Sequence, residues 1–230
     1  LYVSEFEKDL EVNLLQLQKE LTNQTYIPRP IKTVIIRDPK TRKIGKADFR
    51  DRIIHHAIVN ILNPVFEPIF IYDNYASRKK KGHHKALERF DSFMEKITQN
   101  GRKLKGIKDN NYVQGYALKA DIAKYFESVD HEILLSIVEE KIKDKNVLWL
   151  IQQILTYNSN SSVKGRGMPL GNYTSQFFAN VYLNKFDYFI KHTLRAKYYI
   201  RYVDDFVILH NDKEKLERYQ RYIDGYLNFT

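Results

Sequence analysis

Apolar residues along the chain follow two rhythms. Between Tyr2 and Thr22, Phe6, Leu10, Leu14, Leu17 and Leu21 recur at three- and four-residue steps, the spacing of an amphipathic helix. Tyr26-Ile27-Pro28-Arg29-Pro30 ends it, since proline lacks the amide and crowds the preceding turn. Ile31 to Ile36 is β-branched and reads as a strand. A polar turn, Asp38-Pro39-Lys40-Thr41-Arg42, leads to a second short strand over Lys43 to Ala47. Helical spacing returns from Asp51 to Val65 in Ile53, Ile54, Ala57, Ile58, Ile61, Leu62 and Val65, with Pro64 and Pro68 at its end. Lys85 to Thr98 predicts a further helix, and Gln99 to Gln114, rich in Gly, Asn and Lys, predicts a loop.

From Tyr116 to Ile122 the rhythm changes to alternation: Tyr116, Leu118, Ala120 and Ile122 on one face, Ala117, Lys119 and Asp121 on the other. Asp130 is placed to cap a helix carrying Ile133, Leu134, Ile137, Val138 and Ile142. After a Ser/Asn loop at Asn158 to Ser162 and the run Gly165 to Gly171, the residues Phe177, Phe178, Val181, Tyr182, Phe186 and Phe189 form another helical stripe. Tyr198 to Val203 and Phe206 to His210 are strand-like runs joined by Asp204-Asp205, which predicts a hairpin. The fold class expected is α+β, an antiparallel sheet backed by helices. No stretch is apolar enough for a membrane span.

That hairpin carries the first chemistry. Two adjacent carboxylates repel each other, and ordinary turn preference for Asp is the plain explanation. Asp121, however, stands at the end of a separate strand just before Phe126. If the two strands are neighbours, Asp121 and Asp204 converge at one sheet edge. Oxygen-only ligands, few of them from protein, suit Mg²⁺, which keeps waters and takes phosphate oxygens. Two such ions about 4 Å apart activate a 3′-hydroxyl and neutralise a departing pyrophosphate.

Charge adds a partner. Lys+Arg number 38 against Asp+Glu 28, a formal charge of +10, which favours polyanions. Arg78, Lys79, Lys80, Lys81 and Lys85 crowd one stretch, and Arg102, Lys103, Lys105 and Lys108 another, among aromatic residues suited to stacking on bases. The absence of cysteine excludes disulfides and thiolate metal sites and fits a reducing cytoplasm. His55-His56 and His83-His84 do not read as a metal site, because adjacent histidines on a helix point to different faces.

Tyr202-Val203-Asp204-Asp205 resembles the YxDD box of reverse transcriptases, and Ala120-Asp121-Ile122 through Phe126 resembles their first palm motif. Phe49-Arg50-Asp51-Arg52-Ile53-Ile54-His55-His56-Ala57, Asn74-Tyr75-Ala76-Ser77-Arg78-Lys79 and Gly82-His83-His84-Lys85-Ala86-Leu87 resemble the fingers of the bacterial enzymes. Met168-Pro169-Leu170-Gly171-Asn172-Tyr173-Thr174-Ser175-Gln176 departs from the group II intron pattern, which usually has Gln before the glycine and ends in Ser-Pro. With Phe-Phe-Ala-Asn-Val-Tyr-Leu-Asn following, it resembles the reverse transcriptases of diversity-generating retroelements.

The resemblance, from about Tyr26 to the last residue, implies the fingers and palm of a right-hand polymerase: an N-terminal helix over 1–25, fingers over 26–115, a palm over 116–230 with part of the fingers inserted about 131–165, and the thumb missing. It implies RNA-directed DNA synthesis, error-prone in the retroelement subtype. Asp121, Asp204 and Asp205 are the implied catalytic residues, and with the Ile122 carbonyl they hold two Mg²⁺, or Mn²⁺ in their place. Arg78, assisted by Lys40 or Arg42, is implied to grip the triphosphate, Phe126 to exclude a 2′-hydroxyl, and Gln176 to lie near the templating pair. Lys79, Lys80, Lys81, Gly171 and Ser175 are implied to contact template or primer. Expected partners are an RNA template, a DNA or RNA primer, dNTPs and a small basic accessory protein. Three other readings share the acids: a group II intron-like or defence-associated reverse transcriptase, an RNA-dependent RNA polymerase or template-independent nucleotidyltransferase, and a non-catalytic nucleic-acid-binding palm. A small polar residue in place of Phe126 would mark the second. A nuclease lacks a candidate water-activating base.

Overall fold

The computed structural model describes residues 3–37, 40–102, 114–157 and 161–229. The chain forms two compact units, each assembled from two separate stretches: residues 1–70 with 124–182, and residues 71–123 with 183–230.

In the first unit, the N-terminal periodicity forms two helices, α1 (Val3–Lys8) and α2 (Leu10–Thr22). Strands β1 (Lys32–Ile36) and β2 (Arg42–Lys46) pair antiparallel in a two-stranded hairpin, with Val34 opposite Ile44. Asp38 and Pro39 of the expected turn lie outside the described residues. Helix α3 (Phe49–Phe66) is capped by Asp48, whose carboxylate accepts from the Arg50 amide, and it tolerates Pro64 in its last turns. After the short α5 (Tyr125–Ser128) comes α6 (His131–Glu139), whose cap is Asp130: its side chain accepts from the amides of Glu132 and Ile133. Helix α7 (Lys145–Tyr157) follows, a stretch to which the sequence pattern assigns no element. Helix α8 (Tyr173–Tyr182) packs on α3 and α6, with Phe66 and Phe177 edge to face at 5.9 Å.

The second unit holds the antiparallel sheet. Strands β3 (Tyr116–Ala120), β4 (Tyr198–Tyr202) and β5 (Asp205–His210) lie in the order β3-β5-β4, so the sequence-last strand is central. Helices α4 (His83–Ile97) and α10 (Lys213–Phe229) pack against it. Phe93 and Ile97 of α4 bury themselves with Ile200 and Leu209, while Tyr219 of α10 meets His210. The expected single stripe Phe177–Phe189 breaks after α8. Helix α9 (Asn184–Tyr188) continues into a π-helical turn, Phe189–Thr193, in the second unit. Of the expected loop Gln99–Gln114, residues 103–113 lie outside the described residues, as do 158–160. The result is the mixed helical and antiparallel architecture that the pattern predicts.

Candidate active site

The sheet register brings the acids to one edge. Ala120 pairs with Phe206, and Tyr202 pairs with Asp205 across the hairpin. Continuing the first register by one position sets Asp121, just past the end of β3, across from Asp205. Asp121 and Asp205 then share the face of Lys119, Val207 and Ile200, the side covered lower down by α4. Asp204 sits in the two-residue turn between β4 and β5. Its neighbour Val203 takes φ +59°, a left-handed conformation that a β-branched residue strongly resists. Asp121 and Asp205 are exposed and Asp204 is half-buried.

The convergence of Asp121 with the acid pair is therefore a convergence of backbone positions at one sheet edge. Among the described residues, no three His, Asp or Glu side chains gather closely enough to cage an ion by themselves. The donor set nevertheless fits a hard divalent cation: two exposed carboxylates and a half-buried one, with no sulfur or imidazole in the set. Asp121, Asp204, Asp205 and the carbonyl of Ile122, which follows the strand, are the residues that would hold it. A cleft of about 320 Å³ lined by residues such as Phe6, Glu20 and Arg50 lies in the first unit and contains none of the candidate residues.

The basic stretch of the second unit divides on inspection. Arg78 donates through Nη1 to the carbonyls of Ile71 (2.7 Å) and Asn74 (2.8 Å), which ties that side chain to its own loop. Lys81 donates to the Tyr72 carbonyl at 2.7 Å, with Nζ 3.4 Å from the Tyr72 ring centroid and 4.8 Å from that of Tyr75. Lys79 and Lys80 are exposed. Beneath them, buried Asp73 receives Arg89 at 2.8 Å, and burial with Asp73 alongside pushes the Tyr75 phenol up to about 12.

Phe126 and the 168–176 box belong to the first unit. Lys124, at φ +52°, turns the chain into α5. The buried aromatic there is Tyr125, whose hydroxyl donates to the Ala179 carbonyl at 2.9 Å, whereas Phe126 is only half-buried and lies edge-on to Tyr125. The Met168 amide donates to the Phe126 carbonyl, fixing the box beside it. The box is also anchored to the β-hairpin: Gly45 N donates to Leu170 O at 2.8 Å, and the Ala47 amide to Asn172 Oδ1 at 3.2 Å. Gly171 is required there, at φ +111° with a Cβ position only 2.5 Å from Ile44 Cγ2. Ser175 is 3 % exposed and so enclosed, and Gln176 is half-buried. Lys40 and Arg42, at the hairpin tip, are exposed.

Sequence reasoning missed one feature beside the candidate site, the buried pair Arg201–Asp187. Its signal was a charge within the apolar run Tyr198–Val203.

Known proteins share the sequence pattern and the fold. The reverse transcriptase (RNA-dependent DNA polymerase) family profile matches residues 10–228. The group II intron-encoded protein LtrA of Lactococcus lactis is 25% identical, over 94% of this chain and 35% of its own length. Protein YkfC of Escherichia coli is 26% identical, over 79% of this chain and 46% of its own length. The chain thus spans about a third to a half of these relatives. Among solved structures, a telomerase from Candida albicans, in complex with a fragment of telomeric RNA, superposes with a TM-score of 0.54 at 13% identity, over 92% of this chain and 43% of its own. An apo telomerase from Candida tropicalis gives 0.53 at 10% identity, over 85% of this chain and 40% of its own; both likenesses concern the fold. With a family profile covering nearly its whole length and the fold to match, the chain belongs to the reverse transcriptase (RNA-dependent DNA polymerase) family.

Proposed function

We propose that the protein is an RNA-directed DNA polymerase that joins dNTPs to a primer 3′-hydroxyl on an RNA template. The observation that carries this reading is the register that pairs Ala120 with Phe206, leaving Asp121 and Asp205 one position beyond it on adjacent strands and Asp204 in the adjoining turn. Bound divalent cations, two Mg²⁺ or Mn²⁺ in their place, would acidify the primer 3′-hydroxyl and offset the charge of the leaving pyrophosphate. Asp121 and Asp204 hold them, with Asp205 and the Ile122 carbonyl in support.

Phe126, half-buried on a short helix whose buried partner is Tyr125, is assigned to exclude a 2′-hydroxyl. Exposed Lys40 and Arg42 offer charge to the triphosphate, and Lys79 and Lys80 to template or primer phosphates. Arg78 and Lys81, engaged on main-chain carbonyls, brace the loop that displays them. Gln176, Gly171 and Ser175 act from within the box that seats the templating pair.

The Leu170-Gly171-x-x-x-Ser175-Gln176 pattern favours the diversity-generating retroelement subtype, with error-prone copying and a small basic accessory protein, working in the cytoplasm. The intron-encoded relatives favour the group II-like reading, which shares every residue above. Primer extension on an RNA template, dNTPs against NTPs, is the test. Asp204→Asn should abolish extension while leaving the melting temperature within a few degrees of wild type, because asparagine keeps the shape of this half-buried side chain. A variant that retains a near wild-type rate removes Asp204 from the mechanism.

A further inference from the structure

Behind the acid turn lies a charged pair that no role above uses. Arg201 and Asp187 are each 0 % exposed. A guanidinium in the interior is tolerated only when its charge and its donors are met. Here the fork is matched: Nε donates to Asp187 Oδ1 and Nη2 to Oδ2, both at 2.7 Å. The Tyr199 hydroxyl donates to the same Oδ1 at 2.7 Å, and burial, with that carboxylate beside it, holds its phenol in the protonated form.

One further guanidinium contact leaves this pair. Arg201 Nη1 donates to the carbonyl of Val203 at 2.8 Å. That carbonyl and the Asp204 amide are two ends of one planar peptide unit, so fixing the first orients the plane from which Asp204 hangs. The unit follows a valine at φ +59°, a conformation that relaxes unless the surroundings enforce it. The main chain of Arg201 is committed as well. Its amide donates to Asp73 O, and its carbonyl accepts from the Tyr75 amide, both at 3.0 Å. One residue thereby ties α9, the acid turn and the loop that leads into the basic run.

We propose that Arg201, seated by Asp187 and Tyr199, is a positioning residue that holds the strained Val203–Asp204 peptide in its metal-ready orientation. It touches neither metal nor substrate and acts through the backbone of the turn. The inference rests on the polymerase reading for its consequence in catalysis, but its direct effect is on cation affinity.

The experiment uses the full-length protein and two readouts. Mn²⁺ binding is titrated by the loss of free-ion EPR signal, without turnover, and primer extension is measured as a function of Mg²⁺ and of dNTP. Arg201→Lys keeps a charge against Asp187 but lacks the fork and the contact to Val203. It should raise the Mn²⁺ Kd and the half-saturating Mg²⁺ by about tenfold, the usual scale for loss of a group that orients a ligand. It should lower kcat with little change in KM for dNTP. Val203→Gly adopts φ +59° without strain. Placed in the Arg201→Lys background, it should return the Mn²⁺ Kd to within about threefold of wild type. A purely structural pair would lower the melting temperature and leave Mn²⁺ affinity of the folded protein untouched, which overturns the proposal, as does failure of Val203→Gly to rescue. If Arg201→Lys does not fold, Asp187→Asn, equal in shape, is read the same way. A wild-type protein that binds Mn²⁺ but extends no primer ends the polymerase reading, and the Mn²⁺ comparison still decides the role of Arg201.

Discussion

His55 sits in α3 with 1 % of its surface exposed, and neither ring nitrogen has a hydrogen-bond partner among the described residues. Burial, and secondarily the neighbouring His56, push its pKa down from 6.5 to about 4. In the unfolded chain the same imidazole protonates near its ordinary value. Between pH 4 and 6.5 the unfolded state therefore binds a proton that the folded state refuses. The contribution is fully present above pH 6.5, and stability falls as pH drops through the window. At about 1.36 kcal/mol per pH unit, the loss approaches about 3 kcal/mol by pH 4. Another group titrates nearby: Asp51, raised by burial, opposes the acid loss. A variant isolates the histidine. His55→Leu, close in volume, removes this term alone. Urea unfolding followed through Trp149, the chain's single tryptophan and part of α7 in the same unit, measures both proteins across pH. The stability difference should be flat above pH 6.5 and shift by about 2–3 kcal/mol in favour of His55→Leu by pH 4.5. Parallel curves through the window would refute a neutral, unpartnered imidazole.

Two further outcomes are expected. Phe126→Ala should raise NTP use relative to dNTP by about one to two orders of magnitude in kcat/KM, roughly 1.4 to 2.8 kcal/mol of differential transition-state binding. An unchanged ratio with a melting temperature lowered as for a core aromatic would assign the ring to packing. Gly171→Ala forces a Cβ against Ile44 at φ +111° and should cost about 1–3 kcal/mol, read as a lower melting temperature; a wild-type melt would show that the box shifts freely on the hairpin.

The parts of this molecule that local chemistry decides were legible from residues alone. Asp130 caps α6 because a carboxylate before an apolar run meets exposed amides, and the alternation of Tyr116–Ala120 needs no distant partner to be read as a strand. The acid pair declared itself by interrupting two apolar strands. Long-range relations were not legible. That β5 lies between β3 and β4 follows from pairing across the sheet, not from order in the chain. The break after α8 is invisible in the stripe of Phe177, Phe178, Val181, Tyr182, Phe186 and Phe189, because its spacing stays helical across the change of unit. The partnership of Arg201 with Asp187 spans elements whose charges each look misplaced until they are seen together.

The interleaving of the two units bears on how the chain acquires its structure during synthesis. Each is built from two stretches, so the chain passes from one to the other three times, near residues 70, 123 and 182. Strand β3 ends at Ala120, but its only pairing partner among the described strands begins at Asp205, 85 positions later. At roughly 5–20 residues per second, β3 waits about 4 to 17 s on the ribosome with both edges unpaired. Loop closure over such separations makes folding slow. The stretch 71–123 is thus an orphan through that interval, and a nascent chain arrested near residue 180 should expose it to chaperones and proteases, while one released past residue 230 should not.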